Sequence, residues 1–177
     1  MHEFKADIEK IRSRARSKME DGAVTGAYKA DRDKVIGVLN EVLATEIVCT
    51  LRYRNHYYMA QGIHSEAVAT EFLEHANEEQ IHADQVAKRI TELGGEPNFD
   101  PKGLATRSHA EYKAVSRLED MIREDLIAER IAIETYSEII RWLENGDPTT
   151  RRMIEGILAT EEEHADDLSN LLASMKK

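Results

Sequence analysis

Three breaks of unequal length divide the chain after residue 30. Gly62-Ile63-His64-Ser65 is a short turn, and Asn145-Gly146-Asp147-Pro148 is a tight stop and restart. Residues 94–110 hold Pro97, Pro101 and Gly103 and show no strong period. Between the breaks, apolar residues recur at spacings of three and four, the period of an amphipathic helix. Four long helices follow. Helix A starts at a cap on Asp31 or Asp33 and runs to about Gly62. Helix B starts after Ser65 and runs to Leu93, stopping at Gly94-Gly95. Helix C runs from about Tyr112 to Glu144, and helix D fills the remainder with Pro148 in its first turn.

The break lengths set the topology. Short A–B and C–D loops make those pairs antiparallel. A helix of ~28 residues is ~42 Å long. A link of ~17 extended residues reaches ~56 Å, so the B–C segment can return along the whole bundle. The expected architecture is an all-α four-helix bundle over residues 31–177, up-down-down-up, with one long B–C crossover. Aromatic residues make up only 6%, and Ala, Leu, Ile, Glu, Arg and Lys dominate, which suits helices.

Residues 1–30 read as a basic N-terminal arm. Lys10, Arg12, Arg14, Arg16 and Lys18 alternate with small or apolar residues, and Gly22 and Gly26 follow. The plain reading is a solvated, partly helical segment packed on a neighbour. The alternative is an arm whose residues 1–20 contact DNA. Formal net charge is −10, which opposes bulk attraction to nucleic acid or anionic membranes and favours cations. The single cysteine, Cys49, allows neither an internal disulfide nor a cysteine-based metal cluster. Without a membrane-length apolar run or an apolar signal core, a cytoplasmic location is expected.

The helical stripes carry the chemistry. Helix A gives Val35, Leu39, Val42, Glu46, Cys49, Tyr53 and Ala60; helix B gives Val68, Phe72, His75, Glu79, His82, Val86 and Leu93. Helix C gives Leu118, Ile122, Asp125, Glu129, Ala132, Tyr136 and Leu143; helix D gives Ile154, Ile157, Glu161, His164, Leu168 and Leu171. Each stripe is apolar at its ends and carries a Glu near its middle. Residues three apart share a helical face, so Glu79–His82 and Glu161–His164 each point inward together. Buried carboxylates without counter-charge are very unfavourable. No stripe supplies Lys or Arg to balance them, whereas a pair of metal cations does. One Glu from each of two helices plus Glu-x-x-His from each of the other two is the ligand pattern of dinuclear helical bundles. The patterns around Glu46 and Glu129 also match, each with a Tyr two turns later, so the chain is a degenerate repeat of two helical hairpins.

At these residues the sequence resembles bacterioferritin and the wider ferritin-like superfamily, from about Asp31 onward. Leu39-Asn-Glu-Val-Leu-Ala-Thr-Glu-Ile is similar to the first bacterioferritin helix, and Glu79-Gln-Ile-His and Glu161-Glu-Glu-His to its two motifs. The resemblance implies a di-iron ferroxidase centre of Glu46, Glu79, His82, Glu129, Glu161 and His164, two Fe ions per subunit, with Glu79 and Glu161 bridging. Tyr53 matches the family's tyrosine near that centre. Gln80 stands where bacterioferritin places its haem-ligating Met, which argues against bound haem. Only about 13 residues follow His164, too few for the fifth helix of a 24-subunit shell. The basic arm and long link resemble the mini-ferritins, the DNA-protection-during-starvation family, so a shell of 12 subunits is favoured over 24. Some relatives of that kind carry a cysteine pair near the metals, which Cys49 alone does not supply.

The function so implied is iron storage and detoxification. Fe(II) is oxidised to Fe(III) with O2 or H2O2, and the product is stored as mineral inside a homo-oligomeric shell. The alternatives are a rubrerythrin-like di-iron oxidase or peroxidase without storage, and a DNA-protecting mini-ferritin that uses the basic arm. Four neighbouring residues have expected roles. Tyr136 reads as a core tyrosine, as Tyr53 also can, with hydrogen bonding to bridging ligands or donation of an electron as the other option for both. Asp125, one turn before Glu129, is expected to hold the second nitrogen of a ligand His. His75 reads as a core or surface histidine, with a third metal contact as the other option. Glu78, Glu162 and Glu163 read as outward-facing charge.

Overall fold

The computed structural model describes residues 5–62 and 65–175. The elements are α1 (Ile8–Ala15), α2 (Arg32–Met59), α3 (Ser65–Glu92), α4 (Leu104–Arg107), α5 (Leu118–Leu143) and α6 (Pro148–Ser174). A 3-10 turn lies at Met19–Asp21, and the described residues contain no strand. Helices α2, α3, α5 and α6 are the expected A to D. The expected turn at residues 62–65 includes Ile63 and His64, which lie outside the described residues.

Local chemistry sets the helix ends. Asp31 caps α2 by accepting from the Lys34 amide at 3.3 Å. Asp147 caps α6 by accepting from the Thr150 amide at 2.9 Å, with Pro148 in the first turn. At the end of α3, Gly94 adopts φ +79°, and the Gly94 and Gly95 amides donate to the Thr91 and Ile90 carbonyls. Left-handed backbone favours glycine there. One boundary departs from expectation: α5 begins at Leu118, not near Tyr112. The carbonyls of Glu111 and Lys113 accept from buried side chains of α2, Arg52 Nη1 at 2.9 Å and His56 Nε2 at 3.2 Å. Those bonds hold the end of the crossover extended.

Cross-bundle bonds give the helix directions. Tyr53 and Tyr136, on α2 and α5, reach Glu129 and Glu46 on the opposite helix, so numbering rises along α2 as it falls along α5. On α3 and α6, Glu78 meets His164 while Arg89 meets Thr150, again in opposite order. Both of these pairs are therefore antiparallel, which is the up-down-down-up order. The crossover of residues 93–117 runs over α2, where Asn40 accepts from the Asn98 amide and donates to the Glu96 carbonyl.

The core has two apolar layers. One is built on Val35, Leu39, Leu43, Ile90, Leu143 and Ile154, the other on Val68, Phe72, Met121, Ile122 and Leu168. Each large apolar side chain so buried contributes about 1.5–3 kcal/mol. Between them lies a polar layer of Glu46, Glu79, His82, Glu129, Glu161 and His164, all buried. The apolar layers offset the cost of that charged middle and hold it in register.

Of the N-terminal residues, α1 is capped by Asp7 and buries no residue. Further along, the Lys29 and Ala30 amides donate to the Gly146 carbonyl, and the Tyr28 hydroxyl donates to Asp147 at 3.1 Å. A Cβ on Gly146 would lie 3.2 Å from Ala30, a tight contact that glycine avoids. Residues 1–4 lie outside the described residues.

Candidate metal centre

All six residues of the expected ligand set come together. His82 Nδ1 lies 3.1 Å from Glu161 Oε1, 3.3 Å from Glu46 Oε2 and 3.9 Å from Glu79 Oε2. His164 Nδ1 lies 3.4 Å from Glu161 Oε2, 3.8 Å from Glu79 Oε1 and 3.9 Å from Glu129 Oε1. Glu79 and Glu161 thus turn one oxygen toward each histidine, while Glu46 and Glu129 each serve one side. Two groups result, Glu46–Glu79–His82–Glu161 and Glu79–Glu129–Glu161–His164, with donor atoms inside each within 4.8 Å of one another.

Those donors lack hydrogen-bond partners. Glu46 Oε2, Glu79 Oε1, His82 Nδ1, Glu129 Oε2, both oxygens of Glu161 and His164 Nδ1 are buried and unsatisfied. A single buried unpaired polar group costs ~1–3 kcal/mol, and a charged one more. Donors converging in this way on one layer could hold metal ions. Carboxylates suit hard ions, and imidazole suits Fe, Zn and Cu.

Electrostatics show the same strain. Burial, then the charges of Glu161 and Glu46, push Glu79 well above the usual carboxylate range. Burial and the neighbouring Glu161 do the same to Glu129. Burial alone would raise Glu161 too, but His164 and His82 outweigh it and bring it down to about 2. Burial disfavours a charged His82, yet the carboxylates of Glu161 and Glu46 raise it to about 10. Without metal, the layer is compensated by holding protons between its carboxylates and imidazoles. Cations that bind there displace those protons.

The surrounding residues depart from expectation in several places. Tyr53 donates to Glu129, and Tyr136 donates to Glu46 in the same way across the pseudo-twofold. Both bonds go to the carboxylates that serve one side, not to the two shared ones, and Tyr136 is the full counterpart of Tyr53. Asp125 holds neither ligand histidine. It accepts from Arg52 Nε at 2.9 Å and faces His56 Nδ1 at 2.8 Å. Instead, Glu78 Oε2 accepts from His164 Nε2 at 2.6 Å, fixing that ring with Nδ1 toward the carboxylates. Sequence periodicity misses Glu78 because it stands one residue off the stripe and its side chain stays 49% exposed. His75 is buried and stacks on His164, with ring centres 3.9 Å apart. Burial and the adjacent His164 charge pull it down to about 3. Gln80 is exposed and donates to Asp84 at 3.1 Å.

Fold and centre together define a ferritin-like carboxylate protein, and residues 36–177 match the Ferritin family model, the ferritin-like domain. The chain belongs to that family. Bacterioferritin of Desulfovibrio desulfuricans is 31% identical over 154 residues, 86% of this chain and 82% of that protein. Its X-ray structure, described by a diiron site in different catalytic states, aligns at TM-score 0.73 and 28% identity, covering 82% and 81% of the two chains. The nutrient stress-induced DNA-binding protein of a Synechococcus species is 30% identical over 153 residues, 85% and 87% of the two chains. A dodecameric thioferritin, the bacterioferritin-related protein of Bacteroides fragilis, aligns at TM-score 0.80 and 33% identity, covering 84% and 89%. None of the helices among the described residues is long and apolar enough to cross a membrane.

Proposed function

We propose that this chain is an iron-storage and detoxification protein that oxidises Fe(II) at a dinuclear centre within each subunit. The observation that carries this reading is the division of Glu79 and Glu161, each with one oxygen toward His82 and one toward His164. Glu46 with His82, and Glu129 with His164, complete two adjacent metal positions. Fe(II) is the substrate. Each of two ions gives up one electron, and O2 or H2O2 takes the pair. The anionic donor set favours Fe(III) over Fe(II), and Tyr53 and Tyr136 hold the outer carboxylates in place. The ferric product is stored as mineral in a homo-oligomeric shell in the cytoplasm. Twelve subunits is the proposed size, which the dodecameric Bacteroides fragilis relative supports.

The test is stopped-flow oxidation of Fe(II) with O2 and with H2O2, alongside native mass and iron retained per shell. Glu79→Ala and Glu161→Ala should each abolish the fast phase. Wild-type rates in both variants would sink the assignment. A small oligomer holding two irons per chain would instead favour the oxidase alternative.

A second reading, DNA protection, is favoured by α1, on which Lys10, Arg12 and Arg14 are all exposed. The DNA-binding Synechococcus relative agrees with it. Gel shift at fixed salt, with and without residues 1–20, tests it. Equal binding by the two forms would exclude the arm.

A further inference from the structure

The end of the crossover lies over the seam between α2 and α5. The His109 amide donates to Thr45 Oγ1 at 2.9 Å. The carbonyls of Glu111 and Lys113 accept from Arg52 Nη1 at 2.9 Å and from His56 Nε2 at 3.2 Å. The bonded crossover residues alternate, as in extended chain, and Thr45, Arg52 and His56 share one face of α2 at spacings of seven and four. Between them Ala110 is buried in a cluster with Cys49 of α2 and Ala128 of α5. It is the only buried residue from 108 to 117, and residues 111–114 are exposed and form neither helix nor strand. A segment that buries one methyl and hangs on a few side-chain bonds is of the kind that opens locally before the core does.

What this strap covers stands beside the carboxylate layer. Cys49 comes one turn after Glu46, and Ala128 directly precedes Glu129. Burial pushes the Cys49 thiol up, Arg52 pulls it down, and the charges of Glu129, Glu46 and Glu161 push it further up. The Arg52 guanidinium, whose Nη2 lies 3.9 Å from Cys49 Sγ, is already paired with Asp125 at 2.9 Å. The lining of the seam is therefore small and carries no free charge. The α3–α6 side differs: its recess has Glu71, Glu74, Glu78, Glu163 and Asp167 in the wall, an acidic surface that suits cations.

We propose that residues 108–114 form a strap that opens and closes the α2–α5 seam to small uncharged molecules, with Arg52 and His56 as its latch. In the ferroxidase reading, on which this point rests, the molecule admitted is the oxidant, O2 or H2O2. The strap itself stands without that reading.

Cys49 is the single cysteine, so its labelling reports the seam. Metal-free, full-length protein is treated with methyl methanethiosulfonate, which is uncharged, and with its trimethylammonium-bearing analogue, each rate being scaled to free cysteine. Global opening is measured alongside by hydrogen exchange of buried α3 and α6 amides. The uncharged reagent should label Cys49 faster than global opening allows, and the cationic one should lag. His56→Gln should speed uncharged labelling about 3–10-fold, the effect of one lost hydrogen bond, and raise exchange in residues 111–114. Should that variant loosen the whole fold, global opening measured in the same variant still separates strap from core. Labelling only at the rate of global opening, an unchanged rate in His56→Gln, or equal scaled rates for the two reagents overturns the proposal. Labelling needs no iron, so its failure strikes the strap alone, and absent Fe(II) oxidation strikes the ferroxidase reading alone.

Discussion

Tyr136 on α5 donates its hydroxyl to Glu46 on α2, and Tyr53 on α2 returns the bond to Glu129 on α5. Each hairpin thus braces the outer carboxylate of the other. Burial and the neighbouring Glu charges push both phenols well above their ordinary range, so both remain proton donors. Tyr53→Phe and Tyr136→Phe should each leave one buried carboxylate oxygen unpaired. Urea unfolding of the metal-free protein should show a loss of about 1–3 kcal/mol in either variant. Stopped-flow oxidation of Fe(II) should slow by similar factors in both. An effect confined to Tyr53→Phe would break the symmetry argument.

Glu78 acts through His164. Its carboxylate accepts from Nε2 and leaves Nδ1 facing the shared glutamates. Burial disfavours a charged His164, but Glu161 and Glu78 outweigh it and raise its basicity. Glu78→Gln keeps the shape and removes the charge. Loss of such a partner typically weakens metal binding by about 10–100-fold. Competition with a chromophoric chelator, using Zn(II) as a redox-inert probe, should show that loss. Glu162→Gln, on an exposed residue, should show none.

Much of this was legible in the sequence because the core stripes are long and regular. Glu46, Glu79, Glu129 and Glu161 sit on them at matching depth, and the unequal breaks leave one economical topology. Asp125 shows the limit. Its stripe position correctly buries it, but periodicity gives a face, not a partner. Arg52 and His56 come from α2, and Arg52 is buried although it stands one residue off the apolar stripe, where periodicity does not point inward. The late start of α5 has the same cause. Residues 111–116 have ordinary helical propensity, and long-range bonds from Arg52 and His56 keep Glu111 and Lys113 out of the helix.

That network predicts a structural effect without change of ligands. Asp125→Asn removes the only carboxylate among the described partners of buried Arg52 and His56. Breaking a buried charge pair on one side costs about 3–5 kcal/mol. Thermal unfolding should reflect that loss, and hydrogen exchange should rise first in residues 111–117. Zn(II) binding at the Glu/His layer should survive under conditions where the variant stays folded. Exchange unchanged in that segment would show that the crossover is held by other contacts.

Metal loading should stabilise the fold strongly, because the apo layer holds unsatisfied carboxylates. A ligand at 100 times its Kd adds about 2.7 kcal/mol through linkage alone. Zn(II) should raise the Tm of the wild type, and the shift should shrink in Glu161→Gln. The same variant, free of metal, should not be less stable by the full cost of a lost ion pair, since it also relieves repulsion among the carboxylates. A Tm shift equal in both proteins would mean the metal acts elsewhere.

Acid sensitivity should come in part from Asp147, away from the buried Glu/His layer. Its carboxylate accepts from the Thr150 amide and hydroxyl, from Arg89 Nη2 at 2.9 Å, and from Tyr28. Burial alone would raise it, but the bonds from Thr150 and the charge of Arg89 hold it below its ordinary 3.8. Because the folded value is the lower one, the unfolded chain takes up the proton first as pH falls. The stabilisation is complete well above pH 3.8 and is lost as pH drops through that value toward the folded one. Asp147→Asn keeps a good N-cap and removes the charge. Its stability should fall by about 1.5–3 kcal/mol at neutral pH, the worth of hydrogen bonds to a charged group. The gap to wild type should then narrow as unfolding is measured from pH 6 down to about pH 3. A constant gap across that range would assign the loss to packing instead of charge.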